Sequence, residues 1–378
     1  MAPGQRMRIK AGPIVRAFRD RGEHECGAIP GNMVVVVVDK HPKEKPGFSR
    51  IDRPADLYLT VNARMRTAVI SNRTRWLLCE LALACMTVSP GIAQDTLFQS
   101  RQITPTGEYT FGIEGPAVDA RGNLYVVNFG KPGTIGKVAA GASQSELFGV
   151  LPEGSVGNAI RFDREGRMFV ADFKKHNIFL VSPDGKDVKT YFHSDDFNQP
   201  NDLTVEADGT VYASDPHWKQ HNGQIWRISK SADGEAIGEK MTAERPMGTT
   251  NGIDLSPDGK TLYVGESDTR EIWAYRIDGT RLLSPRLLKR FADFDIDGLR
   301  TDTDGNLFVA RILKGTIAEL SPQGKLKREI QLTAQEPTNL AFGGTDGKTI
   351  FVTQRKGGFV ESFRTDHPGR EFCLRACP

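Results

Sequence analysis

From residue 114 onward the chain sets short alternating runs of apolar and polar residues against polar, glycine-containing breaks, and the pattern recurs six times. The repeating segments open at Glu114, Asn158, Asn201, Asn251, Asp297 and Asn339. A glycine falls eight residues into each: Gly122, Gly166, Gly209, Gly259, Gly305 and Gly347. Four of these glycines follow Asp, the dipeptide that closes tight β-hairpins. The run after each turn is rich in Val, Tyr and Phe, whose side chains suit a pleated, buried surface. A third strand follows in every segment, over 133–138, 176–181, 223–228, 270–275, 315–320 and 358–363. Fourth strands fit between segments, as at 145–150 and 286–291.

Segment starts are separated by 44, 43, 50, 46 and 42 residues. That period, with four short strands per unit, predicts propeller blades. The sixth unit has no fourth strand after residue 363, and residues 96–103 can supply it. Closing the ring in this way removes the open sheet edges. The pattern therefore predicts an all-β fold: a six-bladed β-propeller with four-stranded blades over 95–366, closed by an N-terminal strand of the domain. Residues 367–378 are left as a C-terminal tail.

Composition agrees. The 378 residues include 39 glycines, enough for many tight turns, and are 38% hydrophobic and 26% charged, as in soluble globular chains. A net charge of +3 gives no electrostatic case for nucleic acid or membrane binding. Of the five cysteines, none lies between residues 86 and 372, which excludes a disulfide framework or thiolate metal site in the body. Cys373 and Cys377 lie together in the tail, either paired after export or free.

The first part of the chain carries no repeat. Residues 1–64 are basic and irregular and are expected to be a disordered or non-native extension, with translation starting at Met65. Arg66, Arg73 and Arg75 then form a positive region, 76–88 is mostly apolar, and small residues precede Gln94. The apolar stretch is too short to span a bilayer. Residues 65–94 are thus expected to be a signal peptide cleaved after Ala93, implying a periplasmic or secreted protein with no stable membrane anchor.

In a propeller, equivalent positions of all blades converge at one end of the central channel. The first position of each unit yields a ring of Glu114, Asn158, Asn201, Asn251, Asp297 and Asn339, with no apolar member. Each alone reads as a backbone cap, and Asn251-Gly252 and Asp297-Gly298 as turn dipeptides. Six at one repeat position point instead to a shared polar site. Oxygen donors without His or Cys suit a hard cation, Ca²⁺ foremost, with Mg²⁺ or Mn²⁺ and then Zn²⁺ as alternatives. Without a cation, Glu114 and Asp297 repel and one tends to protonate. His217 reaches toward the same mouth from a loop. Asp172 and Asp215, each fourteen residues after a ring position, read as turn-binding residues, and Trp218, Trp226 and Trp273 as core or rim. No Ser-His-Asp arrangement, phosphate loop or nucleotide fingerprint is present.

The motifs Glu114-Gly-Pro, Gln199-Pro-Asn-Asp202, Thr250-Asn-Gly-Ile253 with Ser256-Pro-Asp-Gly259, Asp297-Gly-Leu and Pro337-Thr-Asn339 resemble the senescence-marker-protein, gluconolactonase and luciferin-regenerating-enzyme family. The resemblance covers about residues 98 to 366. It implies a six-bladed propeller holding a divalent metal at one channel end, and a lactone hydrolase. It makes Glu114, Asn251 and Asp297 metal ligands, and Asn201 a ligand or a substrate contact. Asp297 also matches the residue proposed as general base or nucleophile. Asn158, Asn201, Asn339 and His217 are the expected substrate contacts. Gln199 stands where sugar-lactone hydrolases of the family often carry an arginine, a departure that bears on gluconolactone itself. The expected function is divalent-metal-dependent hydrolysis of a small-molecule lactone or related ester. The rival is a non-catalytic propeller binding a ligand or protein at the channel mouth. Oligomeric state is open.

Overall fold

The computed structural model describes residues 96–376 of the chain. The expected extension over 1–64 and signal peptide over 65–94 lie outside the described residues. The six repeats fold as six antiparallel sheets. Strand β1 (Arg101–Gln102) precedes the first blade, which is β2 (Tyr109–Val118), β3 (Leu124–Phe129), β4 (Thr134–Val138) and β5 (Ser145–Val150). The second is β6 (Gly157–Phe162), β7 (Met168–Asp172), β8 (Asn177–Val181) and β9 (Val188–His193). The third is β10 (Leu203–Val205), β11 (Val211–His217), β12 (Asn222–Lys230) and β13 (Ala236–Lys240). A short β14 (Thr242–Ala243) pairs in parallel with the outer edge of the fourth blade, β15 (Thr250–Leu255), β16 (Thr261–Glu266), β17 (Glu271–Asp278) and β18 (Arg281–Arg290). The fifth is β19 (Leu299–Thr301), β20 (Leu307–Arg311), β21 (Thr316–Leu320) and β22 (Leu326–Gln331). The sixth has β23 (Pro337–Gly343), β24 (Thr349–Gln354) and β25 (Phe359–Arg364).

The sixth blade takes its fourth strand from the other end of the domain, as the repeat pattern requires. Arg101 pairs with Ser362 and Gln102 with Glu361, so β1 covers the free edge of β25. The predicted turn glycines all have positive φ, from 71° at Gly259 to 87° at Gly209, the region where a Cβ is penalised.

The apolar core is divided among the gaps between blades. Tyr125 and Val127 of the first blade pack with Ile160, Met168 and Val170 of the second, and Val211, Ala213 and Trp226 of the third with Phe169 and Ile178 of the second. The circle closes where Val118, Leu124 and Val126 meet Ala341 and Val360 of the sixth blade. Each sheet is thus buried on both faces, which is why the second strands read as continuous apolar runs.

The expected tail folds back onto the ring. Helix α1 (Arg370–Ala376) sits at the end of the channel opposite the Glu114 end. Arg375 donates to the carbonyl of Val118 (2.7 Å) and Arg370 to that of Val205 (3.0 Å), while Glu371 accepts from the N–H of Phe342 (2.9 Å). Arg370 also lies 3.5 Å from Asp254, and Gly369 bridges Asp302. These contacts reach the ends of inner strands from five blades, satisfying backbone groups that the channel would otherwise leave unpaired. Cys373 on this helix is disulfide-bonded. Truncation after residue 366 is expected to lower Tm by roughly 5 °C or more, since Asp254 loses a buried partner and strand ends are exposed. An unchanged melting curve would show that the helix contributes nothing.

Candidate active site

Five of the six predicted ring residues lie at the entrance of an innermost strand and Glu114 lies midway along β2, with local irregularities in the pairing beside them. The β2–β3 register shifts on both sides of Glu114, the β6–β7 register between Gly157 and Ala159, the β15–β16 register between Thr250 and Ile253, and the β23–β24 register between Pro337 and Leu340. Glu114, Asn158, Asn251 and Asn339 therefore sit in bulges, which turn a side chain out of the pleat. Asn201 and Asp297 precede the regular pairing of β10 and β19, held by N–H bonds to Ser214 O (2.8 Å) and Ala310 O (3.0 Å).

Adjacent inner strands touch directly at this end. Gly115, at φ 51°, lies so close to the second blade that a Cβ would stand 2.4 Å from the Asn158 oxygen. A Cβ on Gly298 would stand 2.3 Å from Asn339 Oδ1. The glycines of Glu114-Gly and Asp297-Gly thus allow the blades to converge, and the ring residues meet because of them.

Glu114, Asn158, Asn201, Asn251 and Asp297 line one cavity of about 310 Å³, together with Phe111, Phe173, Gln199, Trp218, Thr338 and Arg355. Burial, and then the Asp297 charge, push the Glu114 carboxyl well above the usual carboxylate range. Burial raises Asp297 to about 7, tempered by the Asn251 amide and reinforced by Asp202. Two half-buried carboxyls of raised pKa sharing a pocket are costly to fold and signal a functional site. Asn251 gives its amide nitrogen to Ser267 Oγ (2.9 Å), which leaves its buried Oδ1 without a hydrogen-bond partner. An oxygen-only donor set containing an orphaned amide oxygen fits a hard cation. Among the described residues no three His, Cys, Asp or Glu side chains cluster as metal ligands, so such a cation would rely on the amides as well as the two carboxylates.

Residues 114–356 match the family model described as the SMP-30/gluconolactonase/LRE-like region. The chain belongs to this family. Among relatives of the SMP-30/gluconolactonase/LRE-like family, it is 28% identical to the gluconolactonase of Zymomonas mobilis over 222 residues, 52% of this chain and 60% of that protein. The chain therefore spans less than two thirds of that relative's length. It is 25% identical over 291 residues to the diisopropyl-fluorophosphatase of Loligo vulgaris, covering 69% of this chain and 92% of the squid protein. In three dimensions it resembles a gluconolactonase of Xanthomonas campestris, with a TM-score of 0.58 at 20% identity over 75% of this chain and 93% of the other.

Two expected substrate contacts of this family member fall elsewhere. Asn339 is 1% exposed and lies beneath the cavity, its Oδ1 accepting from Leu340 N (2.9 Å) and Arg300 (3.2 Å). Its buried Nδ2 has no hydrogen-bond partner, and it lies near enough to Glu114 to favour the ionised form of that carboxyl. His217 ends β11 and lines the neighbouring cavity with Phe197, Asn198 and Lys219; Gln199 and Trp218 line both cavities. The structural roles read for Asp172 and Asp215 hold. Asp172 accepts from Val156 N (2.9 Å), and Asp215 accepts from Asn198 N (2.9 Å) and Gln199 N (2.6 Å), fixing the loop that leads to Asn201.

Sequence reasoning missed Asp202 and Arg355. Fully buried Asp202 joins Arg161 (2.8 Å) and both terminal nitrogens of Arg300 (2.8 and 2.9 Å) inside the channel. Arg161 continues to Pro116 O and Arg300 to Ile253 O and Asn339, so one carboxylate ties together all six blades beneath the site. The only signal was Asp202's place in the Gln199-Pro-Asn-Asp motif. Arg355 had none.

Proposed function

We propose that this protein hydrolyses a lactone or related carboxylic ester in the Glu114–Asp297 cavity, with a divalent cation, Ca²⁺ by its donor set. The observation that carries the reading is the convergence of two half-buried, repelling carboxyls on one cavity with a buried amide oxygen that has no partner. Family membership and a relative named gluconolactonase support the same chemistry.

Glu114, Asn251 and Asp297 would hold the cation, with Asn201 beside them. When bound, it would polarise the substrate carbonyl and stabilise negative charge developing on that oxygen. Asp297 accepts the proton from water as the water oxygen adds to the carbonyl carbon. The ring carbon–oxygen bond then breaks, the departing oxygen takes up that proton, and a hydroxy acid leaves. Asn158 gives its amide nitrogen to Asn201 O (3.2 Å) and keeps its oxygen for a substrate hydroxyl. Phe111, Phe173 and Trp218 form an apolar rim that limits the water around the reacting bond.

Hydrolysis of a panel of sugar, aliphatic and aromatic lactones should be lost in chelator and restored by Ca²⁺. Turnover that persists undiminished in chelator would remove the cation from the reading. A folded protein that binds Ca²⁺ but opens no lactone would pass the site to the rival, a ligand-binding channel mouth.

A further inference from the structure

Arg355 is the one cationic side chain lining the carboxylate cavity among the described residues. It follows β24, on the sixth blade, and its position is fixed from several directions. Its backbone N–H donates to Glu336 O (2.9 Å), and Glu336 N–H donates to Gln354 Oε1 (3.1 Å). Its Nε donates to Glu336 Oε2 (2.9 Å), and the guanidinium carbon lies 4.8 Å from the centre of the Phe111 ring. Phe111 is itself 69% exposed, so this stacking covers little core surface. In the ion pair Arg355 is the more exposed partner, at 31% against 16% for Glu336. Held this way, the side chain is oriented before any substrate arrives.

Glu336 engages Nε alone, which leaves the terminal nitrogens of the fork for another acceptor. A guanidinium presents those nitrogens in the geometry that matches a carboxylate or another oxyanion. Neutral hydroxyls have partners enough in this cavity, in the amides of Asn158, Gln199 and Asn201. The cavity's two carboxyls, Glu114 and Asp297, are also in its lining, and the cation proposed for them would offset their charge. The remaining charge is positive and preoriented by Glu336 and Phe111.

We propose that Arg355 is a specificity-determining residue that receives an anionic substituent of the substrate, making the preferred substrate a lactone with a carboxylate or similar oxyanion away from the scissile bond. This rests on the lactone-hydrolase reading and deepens it. Glu336 is the positioning partner that sets the direction of the fork, and Phe111 supports its face.

The test uses two probes that differ in one group: the γ-lactone of gluconic acid and the γ-lactone of glucaric acid, which bears a carboxylate in place of the terminal hydroxymethyl. The wild type should show the lower KM for the glucaric lactone. Arg355→Gln should raise that KM by roughly tenfold or more, as loss of a charge-assisted hydrogen bond implies. Its KM for the gluconic lactone should stay within about twofold, and kcat should change by the same factor for both lactones, because the Arg355 charge also holds down the Asp297 carboxyl. Arg355→Lys, which keeps the charge and loses the fork, should recover part of the difference. Equal KM values for the two lactones in the wild type would overturn the proposal, as would an equal rise for both in Arg355→Gln. If neither lactone is opened, the hydrolase reading is decided by the wider lactone panel, and calorimetry with glucarate and gluconate at fixed free Ca²⁺ decides on Arg355 by itself. A glucarate preference that vanishes in Arg355→Gln supports the anion site, and no preference sinks it.

Discussion

Replacing Asp297 with alanine is expected to lower kcat/KM for lactone hydrolysis by roughly a thousandfold or more, because it removes the proposed base and a proposed cation oxygen together. The same change should leave the fold intact. In chelator the variant should melt no lower than the wild type, since the Asp297 charge penalises ionisation of the half-buried Glu114. With Ca²⁺ the order should reverse, as the wild type gains stability from binding that the variant cannot make. Glu114→Ala should behave alike. Steady-state kinetics and melting curves with and without Ca²⁺ decide the matter. A variant retaining a tenth of wild-type activity would take Asp297 out of the chemistry, and a large loss of Tm in chelator would make its role structural.

Asp202→Ala is expected to destabilise the protein by about 3–5 kcal/mol, the range for breaking a buried charge pair by removing one partner. The carboxyl is pushed up to about 7 by burial, against the pull of Arg161. Its removal leaves two guanidiniums, 2% and 1% exposed, without their carboxylate acceptor. Replacing Asp202, Arg161 and Arg300 together by apolar residues of similar size should cost much less, because no charge is then left buried alone. Chemical denaturation of the single and triple variants reads the difference. If Asp202→Ala unfolds at the wild-type midpoint, the three charges do not hold the blades together.

Much of the molecule is legible without coordinates. The hairpin glycines, the apolar second strands and the polar first positions are local features repeated six times, and repetition distinguishes them from chance. The third strand over 316–320, for example, was readable to within a residue, because its pattern is set by neighbours in sequence. The ring of Glu114, Asn158, Asn201, Asn251, Asp297 and Asn339 was likewise visible as one column of the repeat.

What the repeat could not show is which ring residues face the cavity. Asn339 occupies the same column as Asn251, yet Arg300 draws its oxygen into the channel, whereas Asn251 gives only its nitrogen to Ser267 and keeps its oxygen free. That distinction depends on Arg300, 39 residues away in the chain, and on Asp202, 98 residues from Arg300. Arg355 likewise gains its meaning from Phe111, at the opposite end of the domain.

The sequence by itself thus determined the blade count, the closing strand and the column of polar positions, since each follows from strand periodicity, turn chemistry and the need to cover sheet edges. Only the tertiary structure decided the cavity, the Asp202 hub, the helix across the far channel end and the arginine at the mouth. Their physical reason is common to all four: they arise where inner strands distant in sequence meet on one axis, and burial there changes what each charge and each free oxygen can do.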